Sequence, residues 1–474
     1  MALPLAALLR GERRLEAENY LSSGYGHWLA MDARLGGTGR IGDVARVWQP
    51  ARLKGITVDR QFGVPFLAAT QAFDMRPIAR KFLSLDRTED AADRFAGNGS
   101  ILVTCSGSVG RATLATSALD GVLLSHDLLR VEATAGSQWG WVYAYLRSAK
   151  VRAMMSSARY GHIIKHLEPS HLSAVPMPRP RDDIAAKYQA AAHAILAARN
   201  EAVRLTAQAE ALFEAEVGPP GAQDFGEQGY VFNSASMGRG RRRLEAVFHN
   251  PAVRALQAHF RGRGFSVDSL GDIGFDIWLP TRFRRLPAEE GVTLVGSADL
   301  FEINPDLPKR IADIDFGDRN KGRVQRGWLL LARSGQTYGI NGTLAIANAF
   351  HEGKVISDHV IRIAPRKECT ARPGYIYTAL SNPTLGRPLV KALAYGSSIP
   401  EIDVTDVERL QVVRLDERVE HDIADMTEEA ARLFASADIM ESQMGAEVDD
   451  LVSRLIAGDW ASFVRFKAGV EPPP

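Results

Sequence analysis

The five residues Arg13 to Ala17, RRLEA, return unchanged 229 positions later as Arg242 to Ala246. Ile41, Gly42 and Asp43 are answered at the same offset by Leu270, Gly271 and Asp272. Ile101 to Gly107 (ILVTCSG) is echoed by Leu329 to Gly335 (LLLARSG), and Tyr143 and Tyr145 match Tyr375 and Tyr377 at an offset of 232. Tyr160 and Gly161 match Tyr395 and Gly396 at 235. Leu167, Leu172 and Val175 then meet Ile402, Val407 and Leu410 at that same offset. An offset that drifts by a few residues and then settles is the mark of a duplicated unit whose loops have gained and lost residues. The chain must therefore build one fold twice.

Each copy ends in a stretch of another kind. Ile184, Tyr188, Ala191, Ile195, Ala198, Ala202, Leu205, Ala209 and Leu212 step by four and three without a break. Val419, Ile423, Met426, Ala430, Leu433, Ala437, Met440, Met444, Val448, Leu451 and Leu455 keep nearly the same step. A seam repeating every 3.5 residues or so belongs to a helix wound on another helix. Either stretch alone would suit an amphipathic helix in its own core, but two of them, each closing a repeat, predict a pair. Two equivalent units are most simply related by a pseudo-twofold axis, which makes the helices antiparallel. The seams would span roughly 43 Å and roughly 55 Å at about 1.5 Å per residue, with the two units at the ends of the spacer.

The expected fold is α+β. Two duplicated domains, residues 1–180 and 242–415, are each followed by a long helix, 181–217 and 416–457. Gly218, Pro219 and Pro220 stop the first helix, and 218–241 reads as a linker. In the tail, 458–474, Trp460, Phe463 and Phe466 suit a short helix docked on its own protein. Within each domain a short helix at the Arg-Arg-Leu-Glu-Ala segment leads to strands at Val64–Ala69 and Val292–Val295. Apolar strands then run into Ser-Gly turns, and second strand pairs follow at Val122–Val131 and Lys354–Ile363.

Composition narrows the function. The net charge of +1 gives no global field for nucleic acid, so such binding has to rest on local groups. Cys105 and Cys369 stand far apart with no partner at metal-ligand spacing, which fits a reducing cytoplasm and argues against a zinc site. Met1 to Leu9 is apolar but short and reads as the start of a helix, and no run approaches a membrane span.

Catalytic motifs are scarce. There is no phosphate-loop pattern of the Gly-x-x-x-x-Gly-Lys-Ser/Thr kind. The three Asn-Pro pairs, at Asn250, Asn304 and Asn382, lack the Pro-aromatic continuation with which amino-methyltransferases hold a target nitrogen. Ser125, His126 and Asp127 read as the polar residues of a turn, since neighbours on a strand face opposite ways. Asp313, Asp315 and Asp318 read as a solvated loop.

The polar loops say more. After matching Ser-Gly turns the copies diverge, with Ser108, Val109, Gly110 and Arg111 in one and Gln336, Thr337, Tyr338, Gly339, Ile340 and Asn341 in the other. After Tyr-Gly they diverge again, His162 to Lys165 against Ser397 to Pro400. One framework with two sets of polar tips suits two modules that read different targets. Gln, Asn, Arg, Ser and Thr are side chains that bond base edges, while Arg and Lys hold phosphates. The DNA-binding candidates are thus Ser106, Ser108, Arg111, His162 and Lys165 in the first copy. In the second they are Ser334, Gln336, Thr337, Tyr338, Asn341, Ser397 and Ser398. Arg242 and Arg243 are phosphate candidates from a run that includes Arg239, Arg241, Arg254, Arg261 and Arg263; the same run also fits a solvated linker and helix face.

In its order of parts the chain resembles the DNA specificity subunit of type I restriction-modification systems. The resemblance rests on Arg14 to Tyr20 (RLEAENY), the Ile-Gly-Asp and Leu-Gly-Asp starts, the Ser-Gly strands at Ile101 and Leu329, and the Tyr-Gly loops with the segment Val175-Pro176-Met177-Pro178. Leu410 to Leu415 lacks the matching prolines, and Val247 and Phe248 stand where Glu and Tyr are expected. The resemblance implies a non-enzymatic scaffold that binds double-stranded DNA at an asymmetric, two-part site. It implies docking of methyltransferase subunits, two copies, that carry S-adenosylmethionine and methylate adenine N6, and of a translocating nuclease in some assemblies. The chain itself is expected to need no cofactor and no metal. A relative serving another phage-defence system would look the same. The alternative is a protein-binding adaptor dimerised by its coiled coil, without sequence-specific DNA binding.

Overall fold

The computed structural model describes residues 20–52, 54–157, 166–220, 231, 243–314, 316 and 321–459. Chain contacts divide the protein into two units, residues 1–197 with 437–474, and residues 198–436.

In the first unit the helix α1 (Ser23–Arg34) precedes the strands β1 (Ala45–Trp48), β2 (Thr57–Val58), β3 (Val64–Leu67) and β4 (Lys81–Leu83). A short helix α2 (Ala91–Arg94) leads to β5 (Ile101–Thr104), β6 (Ala112–Leu114), β7 (Leu123–Leu124) and β8 (Leu128–Ala133). Strands in the order β1-β8-β5-β6 form an antiparallel sheet, and β2-β4-β3-β7 form a second in which β3 and β7 run parallel. Every residue of β5 and β6 is buried, which is why these segments are apolar throughout instead of alternating. Leu102 joins Leu67, Phe73, Leu119 and Leu124 in the core beneath the smaller sheet. The helices α3 (Trp139–Arg147), α4 (Ala149–Ser157) and α5 (Pro169–Ser173) then lead to the long helix α6 (Asp182–Val217).

The second unit repeats this plan. After α7 (Pro251–Gly262), β9 (Val267–Ser269) and α8 (Leu270–Ile273) come β10 (Phe275–Trp278), β11 (Pro287–Val295) and β12 (Arg310–Ile311). They are followed by β13 (Leu329–Ala332), β14 (Leu344–Ile346), β15 (Val355–Ile356) and β16 (Val360–Pro365). The order β10-β16-β13-β14 repeats that of the first sheet, and β11 pairs parallel with β15 as β3 does with β7. Registers agree as well: Ile101 opposes Val131 as Leu329 opposes Ile363. Leu67 opposes Leu124 as Val295 opposes Ile356. The helices α9 (Pro373–Ser381), α10 (Arg387–Lys391) and α11 (Val404–Glu408), then β17 (Gln411–Val413), lead to α12 (Glu417–Ala457).

A buried arginine marks the same place in each main sheet. Arg130 donates to the carbonyls of Ser125, Leu128 and Arg94, and Arg362 to those of Ser357, Val360 and Ile356. Burial pushes the Arg130 guanidinium down to about 10 and that of Arg362 to about 9, so both remain cations at neutral pH, held by carbonyl dipoles.

Each unit takes half of each long helix: residues 182–197 go with 437–457 in the first, and 198–217 with 417–436 in the second. That is the pairing antiparallel helices require. The expected seam is half right. Tyr188, Ile195, Ala202 and Ala209 are buried as expected, but the intervening buried positions are Ala192, Arg199 and Phe213 where Ala191, Ala198 and Leu212 were expected. α12 shifts the same way: Ile423, Ala430, Ala437 and Met444 hold, while Thr427, Phe434 and Glu441 replace Met426, Leu433 and Met440. The reason is that each long helix is also covered by its unit's own helices, so the buried stripe is wider than a two-row seam and takes in the next row.

The helices α3 and α9 provide that cover. Gly140 of α3 lies so close to α6 that a Cβ would sit 2.3 Å from the Gln189 Cα, and its N–H donates to the Gln189 side chain at 2.8 Å. Gly374 of α9 lies against α12 in the same manner: a Cβ would sit 2.7 Å from the Ala424 carbonyl oxygen, and its N–H donates to Glu428 at 3.1 Å. At their other ends the partners change. Ser148 after α3 donates to Asp449 of α12, whereas Asn382 after α9 donates to Glu214 of α6 at 2.9 Å. The two long helices thus exchange roles between the units, as the expected pseudo-twofold duplication requires of each. The same alignment corrects the tyrosine match. Trp141 donates to the Pro178 carbonyl at 3.0 Å and Tyr375 to that of Val413, so Tyr375 answers Trp141 rather than Tyr143.

Candidate nucleic-acid interface

In the first unit β5 runs into a turn at Ser106, and the residues just after the Tyr-Gly segment fold back beside it. The Leu167 N–H donates to the Cys105 carbonyl at 2.8 Å, and Ser106 and His166 form an antiparallel bridge. The Ser106 hydroxyl donates to Asp127 Oδ1 at 2.9 Å and meets His166 Nδ1 at 3.0 Å. His126 Nε2 lies 3.7 Å from Asp127 Oδ1, and Ser125 donates to the other carboxylate oxygen at 3.0 Å. Serine, histidine and aspartate are therefore together, but in an order that makes no nucleophile. The carboxylate holds the serine hydroxyl, whereas a relay needs it behind the imidazole. Burial pushes the neighbouring Cys105 thiol up to about 11, so it is no thiolate either. The cluster fastens two loops together. Ser125 and Asp127 serve the turn between β7 and β8, as their spacing suggests.

The second unit fastens the same loops by other means. Ser334 bridges Glu401 and donates to its carboxylate at 3.2 Å, and Arg333 pairs with the same carboxylate. The Gly335 N–H donates to the Pro400 carbonyl at 3.1 Å, and the Gln336 amide to the Ser398 carbonyl at 3.0 Å. Acid and imidazole have traded places: Asp127 and His166 of the first unit stand where the second has His359 and Glu401.

Most of the predicted residues lie on this paired-loop feature. Ser106 and Ser334 sit at its base, Ser108 and Gln336 are exposed at its tip, and Thr337 is half-buried beside them. Ser397 and Ser398 are exposed on the facing loop, next to Ile399 at 65% exposure, while Tyr338 is 69% exposed on the turn. Arg111 lies over the Phe73 ring at 4.2 Å. Two candidates prove to be internal. Asn341 is fully buried and donates to the carbonyls of Arg333 at 2.8 Å and Pro400 at 2.9 Å, which locks the turn to the loop. Arg243 is buried between Phe248 and Tyr395; it pairs with Asp406 at 2.8 Å and Glu245 at 2.9 Å and donates to the Leu393 and Ala394 carbonyls. It anchors the start of its unit and presents no face to a phosphate. His162, Lys165 and Arg242 lie outside the described residues, as do Asp315, Asp318, Trp460, Phe463 and Phe466. Sequence reasoning missed His166, Arg333 and Glu401, which carry no motif and acquire meaning only when the loops meet.

Among the described residues no group of His, Cys, Asp and Glu is placed to hold a metal ion, and no helix is long and apolar enough to cross a membrane. Fold and site together define a class, in which two like α+β units each present a pair of polar loops and are completed by halves of two long antiparallel helices. Among solved structures the chain is similar to the S subunit of a type I restriction-modification system from M. genitalium, at 13% identity and a TM-score of 0.30, over 88% of this chain and 94% of that one. It is also similar, at 13% identity and a TM-score of 0.27, over 89% of this chain and 97% of the other, to a structure described as the basis of complex assembly and conformational transition of the type I R-M system. No family model matches the chain, and neither does any curated protein.

Proposed function

We propose that this chain is a DNA sequence-recognition subunit, itself non-catalytic, that binds an asymmetric two-part site. The observation that carries the proposal is the paired-loop feature: one framework, built twice, with unlike tips. The first tip is the short turn Gly107 to Gly110, with Ser108 exposed, and the second is the longer turn Gly335 to Gly342, with Gln336 and Tyr338 exposed, while Arg111 and Thr343 hold matching places after them. A surface kept in place by buried locks such as Asn341, yet carrying unlike exposed side chains, suits two readers of different half-sites. The exposed groups are of the kind that bond base edges or stack on them. In this reading the long helices set the distance between half-sites, about one helical turn or roughly 35 Å. They also carry the docking surface for methyltransferase subunits that bring S-adenosylmethionine and methylate adenine N6, with a nuclease subunit as a further partner.

The direct test is selection of bound duplexes from a random library by the full chain. Two short fixed blocks separated by an unspecified spacer are expected, and Gln336→Ala with Tyr338→Ala should relax one block only, by about 1–3 kcal/mol at the affected positions. A contiguous or palindromic consensus contradicts the two-reader account. Binding that ignores salt and sequence leaves the protein-adaptor reading in its place.

A further inference from the structure

A second duplicated feature begins where each main sheet hands over to its smaller sheet, the Gln49 amide of the first donating to the His126 carbonyl at 2.7 Å. Residues 49–52 and 54–56 follow β1 and residues 279–286 follow β10, all outside the strands. The two are anchored alike: the Ile56 carbonyl accepts from the Ser84 N–H at 3.0 Å, and the Leu286 carbonyl from the Ala312 N–H at 2.8 Å. Ser84 and Ala312 each directly follow the matching strand, β4 or β12. This anchoring aligns Arg52 with Arg282, Lys54 with Arg284, and Ile56 with Leu286, all six exposed.

Each arm is held to its own unit by a few contacts. Ala51 accepts from the buried Arg94 at 2.8 Å and Lys54 from the Glu89 N–H at 3.3 Å, through their carbonyls. At Gly55 a Cβ would sit 2.9 Å from the Thr88 hydroxyl. In the second arm the Phe283 ring packs on Phe316 at 5.0 Å, and Arg285 pairs with Asp358. Phe283 turns inward, while Ala51, Arg52, Lys54, Gly55 and Ile56 of the first arm and Thr281, Arg282, Arg284, Arg285 and Leu286 of the second are exposed. Exposed cation, cation and apolar side chains recur at steps of two in both arms, after a shared Trp-x-Pro-x-Arg start at Trp48 to Arg52 and Trp278 to Arg282. Ile56 is 56% exposed and Leu286 46%, so no core requirement keeps the pattern. One more matched cation stands nearby in each unit, Lys81 in β4 and Lys309 just before β12, both exposed.

We infer that the two arms are phosphate-contacting strips for duplex DNA, one for each half-site. The inference rests on the DNA-recognition reading. Charge complementarity selects the occupant: cations two residues apart in sequence can lie up to about 7 Å from one another along the chain. A nucleic-acid strand offers a negative charge every 3.4 Å or so of its axis. Lys54 also has Glu89 at 3.8 Å, but both side chains are more than half exposed, so the pair is weak and water-screened. Contacts of this kind fix position and orientation and carry no sequence information.

The experiment uses the full chain and titrates its affinity against salt on two duplexes, one bearing its selected site and one unrelated. The combined variant Arg52→Gln, Lys54→Gln, Arg282→Gln, Arg284→Gln is expected to flatten the log-log salt slope by about 3 to 4, at about 0.9 per lost contact, and to weaken both duplexes by the same factor. Exchanging Lys and Arg at the same four positions keeps the charge and should keep the slope, which separates charge from any effect on folding. A combined variant whose slope stays within about one of the parent's, or whose loss is confined to the selected site, overturns the inference while the DNA reading stands. A parent chain with no salt-dependent binding overturns both.

Discussion

The Asn382 side chain donates to the Glu214 carboxylate at 2.9 Å, joining the end of α9 to the end of α6. Ser148, at the same place after α3, donates to Asp449, which lies 235 residues beyond Glu214. One contact has thus been built twice with different atoms, and each unit is fastened to the long helix that does not directly follow its own domain. Asn382 is fully buried, and its oxygen also accepts from the N–H groups of Thr384 and Leu385 at 3.1 and 2.9 Å. Replacing Asn382 by Ala should therefore cost about 1–3 kcal/mol, because three groups lose their partner at once. Glu214→Gln keeps an acceptor oxygen at an exposed position and should cost well under that. Urea denaturation of both variants checks the difference.

The register of the helix pair gives a sharper expectation. Phe213 is 1% exposed and packs at 6.3 Å from the Tyr375 ring, whereas Leu212 beside it is only half-buried. Phe213→Ala should lose about 3–5 kcal/mol, and Leu212→Ala clearly less. A reversed order in thermal or chemical unfolding would restore the seam expected from the sequence alone.

His351 supplies the pH dependence. Its ring is buried, and burial first and Lys354 second push it down to about 4, so it folds neutral, with Nδ1 accepting from the Asn348 N–H at 3.1 Å. An unfolded histidine titrates near 6.5, so the unfolded chain binds more protons between the two values. The stability contributed is complete above about pH 7 and lost as pH falls through 6.5 towards 4, on the order of 3 kcal/mol in all. His351→Gln should flatten the stability profile across that window and leave the profile above neutral pH parallel to the parent's.

How much of this was legible in the sequence follows from what each feature is made of. The duplication, the α+β class and the two long helices could be read because backbone pattern survives substitution: apolar strands stay apolar, and Gly218 follows α6 with φ at +74°. The second row of the seam could not. Arg199, Thr427 and Glu441 are polar, and their burial depends on neighbours that come from elsewhere in each unit. Gly140 and Gly374 are ordinary glycines in sequence, and only the approach of a second helix makes them necessary. The paired loops were half legible, since the Ser-Gly turns mark one side, while His166 and Glu401 on the other follow no pattern. The arms at Arg52 and Arg282 carry a signal that was passed over, the Trp-x-Pro-x-Arg start shared by Trp48 to Arg52 and Trp278 to Arg282, and their common anchoring shows that it marks matching places. Arg243 misled in the other direction, an arginine in a basic run that belongs to the core.

The most direct test of the central proposal is a map of methylated adenines in DNA from cells carrying this chain and its methyltransferase partner, with and without the chain. The account predicts that adenines within one interrupted, asymmetric motif are modified only when the chain is present. The same methylation pattern with and without it would contradict a role in choosing the sequence.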